Sequence, residues 1–194
     1  MKKTAMKLRS QAGLTLSEML VTLLLLVLVL VLSGVATGLK ASFDAYQDSV
    51  RLSDALMLSS TLSEAIMDEF RYAGDVETET VSEGGGTREN VVSYTSLSFG
   101  ERQIMTVRKE ASGDPGGYLV IAPKGTTESE LASRGKLLVG TGAYARHLRV
   151  KDLTLTYEPG TATDNPLITV SYTVCSTMGT LDHTVEFSVY PQNM

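Results

Sequence analysis

Residues 13–39 read GLTLSEMLVTLLLLVLVLVLSGVATGL, and this stretch decides the fold of the chain. No charged residue occurs from residue 19 to residue 39, and most of these positions are Leu or Val. As an α-helix, the run is about as long as the hydrocarbon core of a bilayer, which is roughly 30 Å thick. The sequence therefore predicts a helix that is embedded in lipid or among partner chains.

Charge is unevenly distributed around this run. Residues 1–13 carry four basic side chains and no acidic one. The formal net charge is −5 for the whole chain, but beyond residue 13 there are 13 basic and 22 acidic residues, a net charge of −9. Because basic flanks stay on the cytoplasmic side, we expect the C-terminal part to lie outside the cell membrane. Its acidic balance argues against non-specific binding of nucleic acid by this part of the chain, and no direct nucleic-acid binding is evident, although the net charge leaves room for a small basic patch.

The helical pattern continues beyond the apolar run, since neither proline nor glycine occurs between Gly38 and Gly74. We predict one nearly continuous helix, apolar all round in residues 14–39 and amphipathic in residues 40–73. Apolar residues three to five positions apart form the predicted stripe of the second part: Phe43, Tyr46, Val50, Ala55, Leu58, Leu62, Ile66 and Phe70.

Residues 74–194 are predicted to form a β-rich globular domain. Residues 75–90 are acidic and rich in glycine, which predicts a loop. Alternating apolar and polar residues then predict an antiparallel sheet, with one face covered by the amphipathic half of the helix. The predicted strands span residues 91–99, 102–110, 118–122, 136–139, 148–150, 153–157, 168–175 and 181–189. The fold class is therefore α+β.

Two connections within this domain have a predicted form. The apolar phase changes at Lys151 and Asp152, which predicts a β-bulge or a break between two strands. Residues 124–134 are polar, and we expect an exposed loop or a short helical turn there.

The chain shows no pattern typical of an enzyme or a metal site. A single cysteine, Cys175, allows neither an intramolecular disulfide nor a cysteine metal cluster. His147 and His183 are far apart in the sequence and lack the context of a nucleophile or zinc motif. We therefore expect no enzymatic activity, no catalytic residue, no metal site and no cofactor.

One carboxylate, Glu18, stands at the front of the apolar run. Either it reaches the membrane edge at little cost, or it is functional, because a charge within an apolar segment is expensive. If the chain were cut after Gly13, the new amine on Leu14 would lie four residues from Glu18. Helices packed with an axial offset would then pair the amine of one subunit with Glu18 of its neighbour in a medium of low dielectric constant. On this hypothesis Glu18 sets the register of assembly.

The same residues resemble the N-terminal motif of type IV prepilins and pseudopilins. That family has a short basic leader, a glycine at the cleavage point, an apolar helix and a glutamate at the fifth mature position. Here these are residues 2–12, Gly13, residues 14–39 and Glu18, in that order, and residues 1–13 together form the leader peptide. The chain departs from the family in having Leu14 where Phe is usual and Ser17 where an aliphatic residue is usual.

The resemblance implies cleavage between Gly13 and Leu14 and N-methylation of Leu14 by a prepilin peptidase/N-methyltransferase. It also implies that the apolar helix forms the transmembrane and filament-core segment, with Glu18 serving assembly. The implied partners are other pilin subunits, the inner-membrane assembly platform and the membrane itself.

The expected function is that of a structural subunit, a minor pilin or pseudopilin, in a type IV pilus-like or type II secretion-like filament. Such filaments serve adhesion, motility, DNA uptake or secretion. The chain would first be a single-pass protein of the cell membrane and then part of an extracellular or periplasmic filament. The alternative is a single-pass membrane protein whose outer domain binds a ligand or partner without polymerising.

Overall fold

A computed structural model of the chain describes residues 15–83, 86–110, 113–160, 165–178 and 181–192. The fold is α+β, as predicted, because a long helix, α1 (Leu16–Arg71), precedes an eight-stranded antiparallel sheet. The chain forms two compact units, Met1–Asp48 and Ser49–Met194, and α1 contributes residues to both.

Among the described residues, the second unit contains the C-terminal part of α1, the sheet and three short helical elements. Its elements are β1 (Gly74–Glu83), β2 (Gly86–Thr95), β3 (Arg102–Arg108), β4 (Tyr118–Pro123), a 3₁₀ turn (Glu128–Glu130), α2 (Leu131–Arg134), β5 (Lys136–Leu137), a second 3₁₀ turn (Thr141–Tyr144), β6 (Leu148–Glu158), β7 (Leu167–Ser176) and β8 (Asp182–Val189). Helix α1 ends at Arg71, two residues before residue 73, where the sequence predicted its end.

The strand order of the sheet is β5-β4-β3-β2-β6-β7-β8, with β1 paired to β2 outside this path. Strand β2 lies at its centre, because it pairs with β1, β3 and β6. One edge of β2 pairs with β1. The other edge is shared, because Tyr94 and Thr95 pair with β3 whereas Glu89 and Asn90 pair with β6. β2 and β3 form an antiparallel hairpin in which two residue pairs, Tyr94 with Gln103 and Thr95 with Arg102, are in register.

In the second unit, α1 covers one face of the sheet, as the amphipathic pattern predicted. Its buried apolar side chains are Ala55, Leu58, Leu62, Ile66 and Phe70. They share one core with the sheet, in which the ring of Phe70 lies 4.9 Å from that of Tyr94. Burial of this apolar stripe stabilises the helix against the sheet.

The predicted stripe is wrong at its first three members. Phe43, Tyr46 and Val50 are exposed, and only the residues from Ala55 onward are buried. The physical reason is the place along α1 where packing against the sheet begins. Every described residue of α1 up to Val50 is exposed, whichever side of the helix it lies on, and Arg51 is the first that is partly buried.

The prediction of a loop over residues 75–90 is also wrong, because β1 and the first part of β2 pair there. β-Branched residues at alternate positions, Val76, Thr78 and Thr80, give this segment a strand period that its acidic composition obscured. A β-bulge lies within this segment, since β2 passes from Ser93 to Val91 while β1 advances from Glu77 to Thr78. The bulge lets both Val91 and Tyr94 pack against the core.

The predicted phase change at Lys151 and Asp152 is confirmed as a bulge within one continuous strand. Between Lys151 and Thr154, β6 advances by three residues while its partner β7 advances by two, from Thr173 to Ser171. Asp152 takes a left-handed conformation with φ of 55°. The bulge keeps both Val150 and Leu155 buried.

A second, smaller core lies beneath the short helical turns. Leu131 of α2 packs against Val120 and Ala122 of β4. The predicted short helical turn over residues 124–134 is therefore confirmed, and it covers apolar residues of β4 in addition to the core that α1 covers.

Candidate functional site

The first unit presents an apolar helix whose whole surface is exposed. Every residue from Thr15 to Asp48 is exposed, and the leucine and valine side chains of residues 20–39 are about half or more accessible. A continuous apolar surface of this size is found where a protein meets a membrane or another protein. Among the described residues, α1 is the one helix long and apolar enough to cross a membrane.

The hydroxyl groups of this segment are satisfied within the helix itself. Thr22, Ser33, Thr37 and Ser42 each donate a hydrogen bond of 2.8 or 2.9 Å to a main-chain oxygen three or four residues earlier. A polar group that has no partner in hydrocarbon costs several kcal/mol, on the order of a full lost hydrogen bond. These internal bonds therefore make the segment compatible with an apolar medium despite its polar residues.

Glu18 lies in the first turn of α1, and its side chain caps the N-terminus of the helix. Its Oε2 accepts hydrogen bonds from the main-chain N–H of Thr15, at 2.8 Å, and from the Thr15 hydroxyl, at 2.9 Å. Thr15 directly precedes the helix, so the contact to its N–H is one half of a capping box. The carboxylate also lies at the positive end of the helix dipole.

The structure therefore gives Glu18 a role within its own chain that the sequence reasoning did not anticipate. The signal was present, because a threonine three positions before a glutamate at a helix start is the capping-box spacing. Gly13 and Leu14, the predicted cleavage and methylation residues, lie outside the described residues.

The histidines and the cysteine lie on or next to the neighbouring strands β6, β7 and β8. Nδ1 of His147 donates to the main-chain oxygen of Ala145 at 2.7 Å, and His183 lies on β8 opposite Val174. Cys175 is 2 % exposed on β7, and burial raises the pKa of its thiol. In the described part of the chain, no group of three or more His, Cys, Asp or Glu side chains is placed to hold a metal ion.

One charged cluster on the second unit links several strands. Oε2 of Glu77, on β1, accepts hydrogen bonds from Lys124, Ser93 and Arg102, and Arg102 also pairs with Asp75. The bonds from Lys124 and Ser93 lower the pKa of Glu77 to about 2. Because its members belong to β1, β2, β3 and the residue after β4, the cluster stabilises one region of the sheet.

No protein-family model, no curated protein and no solved structure matches this chain. Because no related protein assigns a role to these residues, the candidate site is defined by its geometry alone. It comprises Glu18 with its partner Thr15 and the exposed apolar surface of residues 19–39.

Proposed function

We propose that the chain is a structural subunit, a minor pilin or pseudopilin, of a type IV pilus-like or type II secretion-like filament. In this function a prepilin peptidase cleaves after Gly13 and methylates Leu14, and assembly proceeds through residues 14–39 on an inner-membrane platform. The observation that carries the proposal is the carboxylate of Glu18 in the first turn of α1, directly before an apolar segment, residues 19–39, that is exposed on all sides.

The capping contact of Glu18 is compatible with a role in assembly. An ionised carboxylate has two oxygen atoms and about four acceptor sites, whereas the contacts with Thr15 use Oε2. The same side chain is therefore able to accept a hydrogen bond from the terminal amine of a neighbouring subunit. Such a charge pair would fix the axial offset between apolar helices, which otherwise pack with little specificity.

The processing step is tested by mass spectrometry of the protein isolated from its membrane or filament fraction. We expect an N-terminus at Leu14 that carries a methyl group. The small residues at positions 35–37 are the candidate cleavage site of an ordinary secretory signal, so a terminus near Ala36 would instead identify a secreted protein and refute the proposal.

The assembly step is tested by comparing Glu18→Gln with Glu18→Ala. Glutamine retains the acceptor of a capping box but has no charge, whereas alanine removes both. We expect both variants to be processed normally and both to be excluded from filaments. Thr22→Val, which removes only a hydroxyl bonded within the helix, is the matched control and should assemble. If Glu18→Gln assembles like the parent chain, Glu18 acts only as a cap.

The exposed apolar run also supports a second candidate, a permanently anchored single-pass protein whose outer domain binds a partner. That protein would keep Met1 at its N-terminus and would tolerate both substitutions of Glu18. In either function we propose a structural or binding protein rather than an enzyme.

A further inference from the structure

Two aromatic side chains lie exposed on α1 just beyond the apolar run. Phe43 is 65 % exposed and Tyr46 is 68 % exposed. Because they are three residues apart, both rings lie on one side of the helix. Leu39, which is 56 % exposed, lies four residues before Phe43 on the same side, so the two rings follow directly on the exposed apolar surface of the run.

The position of the pair along the helix matches one boundary of a bilayer. Residues 19–39 span about 32 Å at 1.5 Å per residue, close to a hydrocarbon core of roughly 30 Å. The Cα atoms of Phe43 and Tyr46 then lie about 6 Å and about 10 Å beyond that of Leu39 along the axis. Helical side chains point back towards the N-terminus, which brings both rings nearer the hydrocarbon. Each headgroup layer is about 5–8 Å thick, so the rings fall within it.

The chemistry of this segment also suits the lipid interface. Tyrosine combines an apolar ring with a hydroxyl that remains hydrated, and aromatic rings are enriched at the headgroup level. Lys40 directly follows the apolar run, and its flexible side chain can carry the ammonium group to the lipid phosphates. Glu18 marks the opposite end of the run, so both limits of the uncharged segment carry an ionisable group.

We infer that Phe43 and Tyr46 form an aromatic anchor that docks in the headgroup region of a phospholipid bilayer. The anchor fixes the depth of the helix in the membrane at the C-terminal end of the apolar run. The inference goes beyond the proposed function, since it requires only membrane insertion, which both candidate functions share.

The chain contains no tryptophan, which allows a direct test by fluorescence. The full-length chain is reconstituted as Phe43→Trp in phosphatidylcholine vesicles with bromine near either the headgroup end or the methyl end of the acyl chains. We expect a blue-shifted emission that bromine near the headgroup end quenches more strongly. Tyr46→Trp is an independent second reporter and should respond in the same order.

Two control positions calibrate the depth. Leu28→Trp lies within the apolar run and should be quenched more strongly by bromine near the methyl end. Leu97→Trp lies in the connection between β2 and β3, where Leu97 is 67 % exposed, and should keep the emission of a hydrated indole without quenching.

The inference is overturned if Phe43→Trp behaves like Leu97→Trp while Leu28→Trp is quenched, because the rings then lie in water. A blue shift without quenching in either lipid also overturns it, since a second copy of the chain then covers the rings. Both of these results leave the proposed function standing. Absence of quenching at Leu28→Trp overturns the inference together with the membrane-bound stage of the proposed function.

Discussion

The hydroxyl group of Tyr172, on β7, donates a hydrogen bond of 2.8 Å to the main-chain oxygen of Ser59 in α1. The Tyr172 oxygen also lies 2.9 Å from the hydroxyl oxygen of Ser63, which can act as the second donor. Burial raises the pKa of Tyr172, so the phenol stays neutral and keeps its proton for Ser59. Through these two contacts, Tyr172 fixes the position of α1 along the helix axis relative to β7.

Tyr172→Phe should destabilise the second unit by about 1 kcal/mol, because it removes a buried hydrogen bond and leaves Ser63 without this contact. The loss is measured by urea unfolding of the full chain in detergent. Tyr190→Phe removes a hydroxyl from a side chain that is 61 % exposed and should leave the transition unchanged. Equal effects of the two substitutions would contradict this account of the Tyr172 contact.

Leu62→Ala should destabilise the second unit by about 2–5 kcal/mol, because Leu62 is fully buried and the truncation leaves a cavity. Leu56→Ala, on the same helix but 48 % exposed, should change the free energy of unfolding by less than about 1 kcal/mol. Denaturant unfolding of both variants checks which side of the helix faces the sheet. A larger loss for Leu56→Ala would mean that the opposite side is buried.

Gly117→Ala should prevent the close approach of three strands. A Cβ atom at Gly117 would overlap the main-chain oxygen of Arg108, at the end of β3. Gly117 also exchanges two hydrogen bonds of 2.8 Å with Val150 of β6, so the backbone has little freedom to move away. We expect a clear fall in melting temperature. Gly142→Ala, where no atom lies within 4 Å of the added Cβ, is the control and should melt close to the parent chain.

Glu77→Gln should destabilise the protein at neutral pH and much less in acid. The hydrogen bonds from Lys124 and Ser93 lower the pKa of Glu77 from 4.5 to about 2 in the folded state. Because the folded carboxyl group releases its proton more readily, its stabilising effect is present above pH 4.5 and is lost as the pH falls towards about 2.

Thermal melting across this pH range checks the Glu77 prediction. The difference in melting temperature between Glu77→Gln and the parent chain should become smaller as the pH falls. Glu79→Gln makes the same chemical change two positions along β1 and should not reproduce that trend. A difference that stays constant with pH would show that the charge of Glu77 does not contribute.

The sequence predicted the elements whose periodicity a single buried face imposes. The alternation of Ile168, Val170, Tyr172 and Val174 identified β7, and all four side chains are buried. The phase change near Asp152 identified the bulge in β6 for the same reason. In each case burial of one face determines the pattern of apolar residues, and the pattern is readable without any knowledge of the partner strand.

The two errors have different causes. The acidic residues of β1 indicated a loop, although Val76, Thr78 and Thr80 alternate as strand residues do. The stripe on α1 was extended to Phe43 because periodicity alone does not show where along a helix the covering sheet begins. Up to Val50 every described residue of α1 is exposed, whatever its side of the helix.

At the candidate site, the sequence identified Glu18 but not its partner. The energetic cost of placing a glutamate in an apolar segment was apparent from the residue type alone. The contact between Glu18 and Thr15, in contrast, depends on where the helix begins. The internal bonds of Thr22, Ser33, Thr37 and Ser42 also require the helix geometry, because the hydroxyl groups reach oxygen atoms in the preceding turn.

The burial of Cys175 has a practical consequence for experiments on filaments and membranes. The only thiol in the chain is 2 % exposed, and its raised pKa keeps it protonated and poorly nucleophilic at neutral pH. Maleimide reagents will therefore modify a cysteine introduced on the surface in preference to Cys175. Spin labels and fluorophores can be attached at one chosen position of the native chain, without first removing its own cysteine.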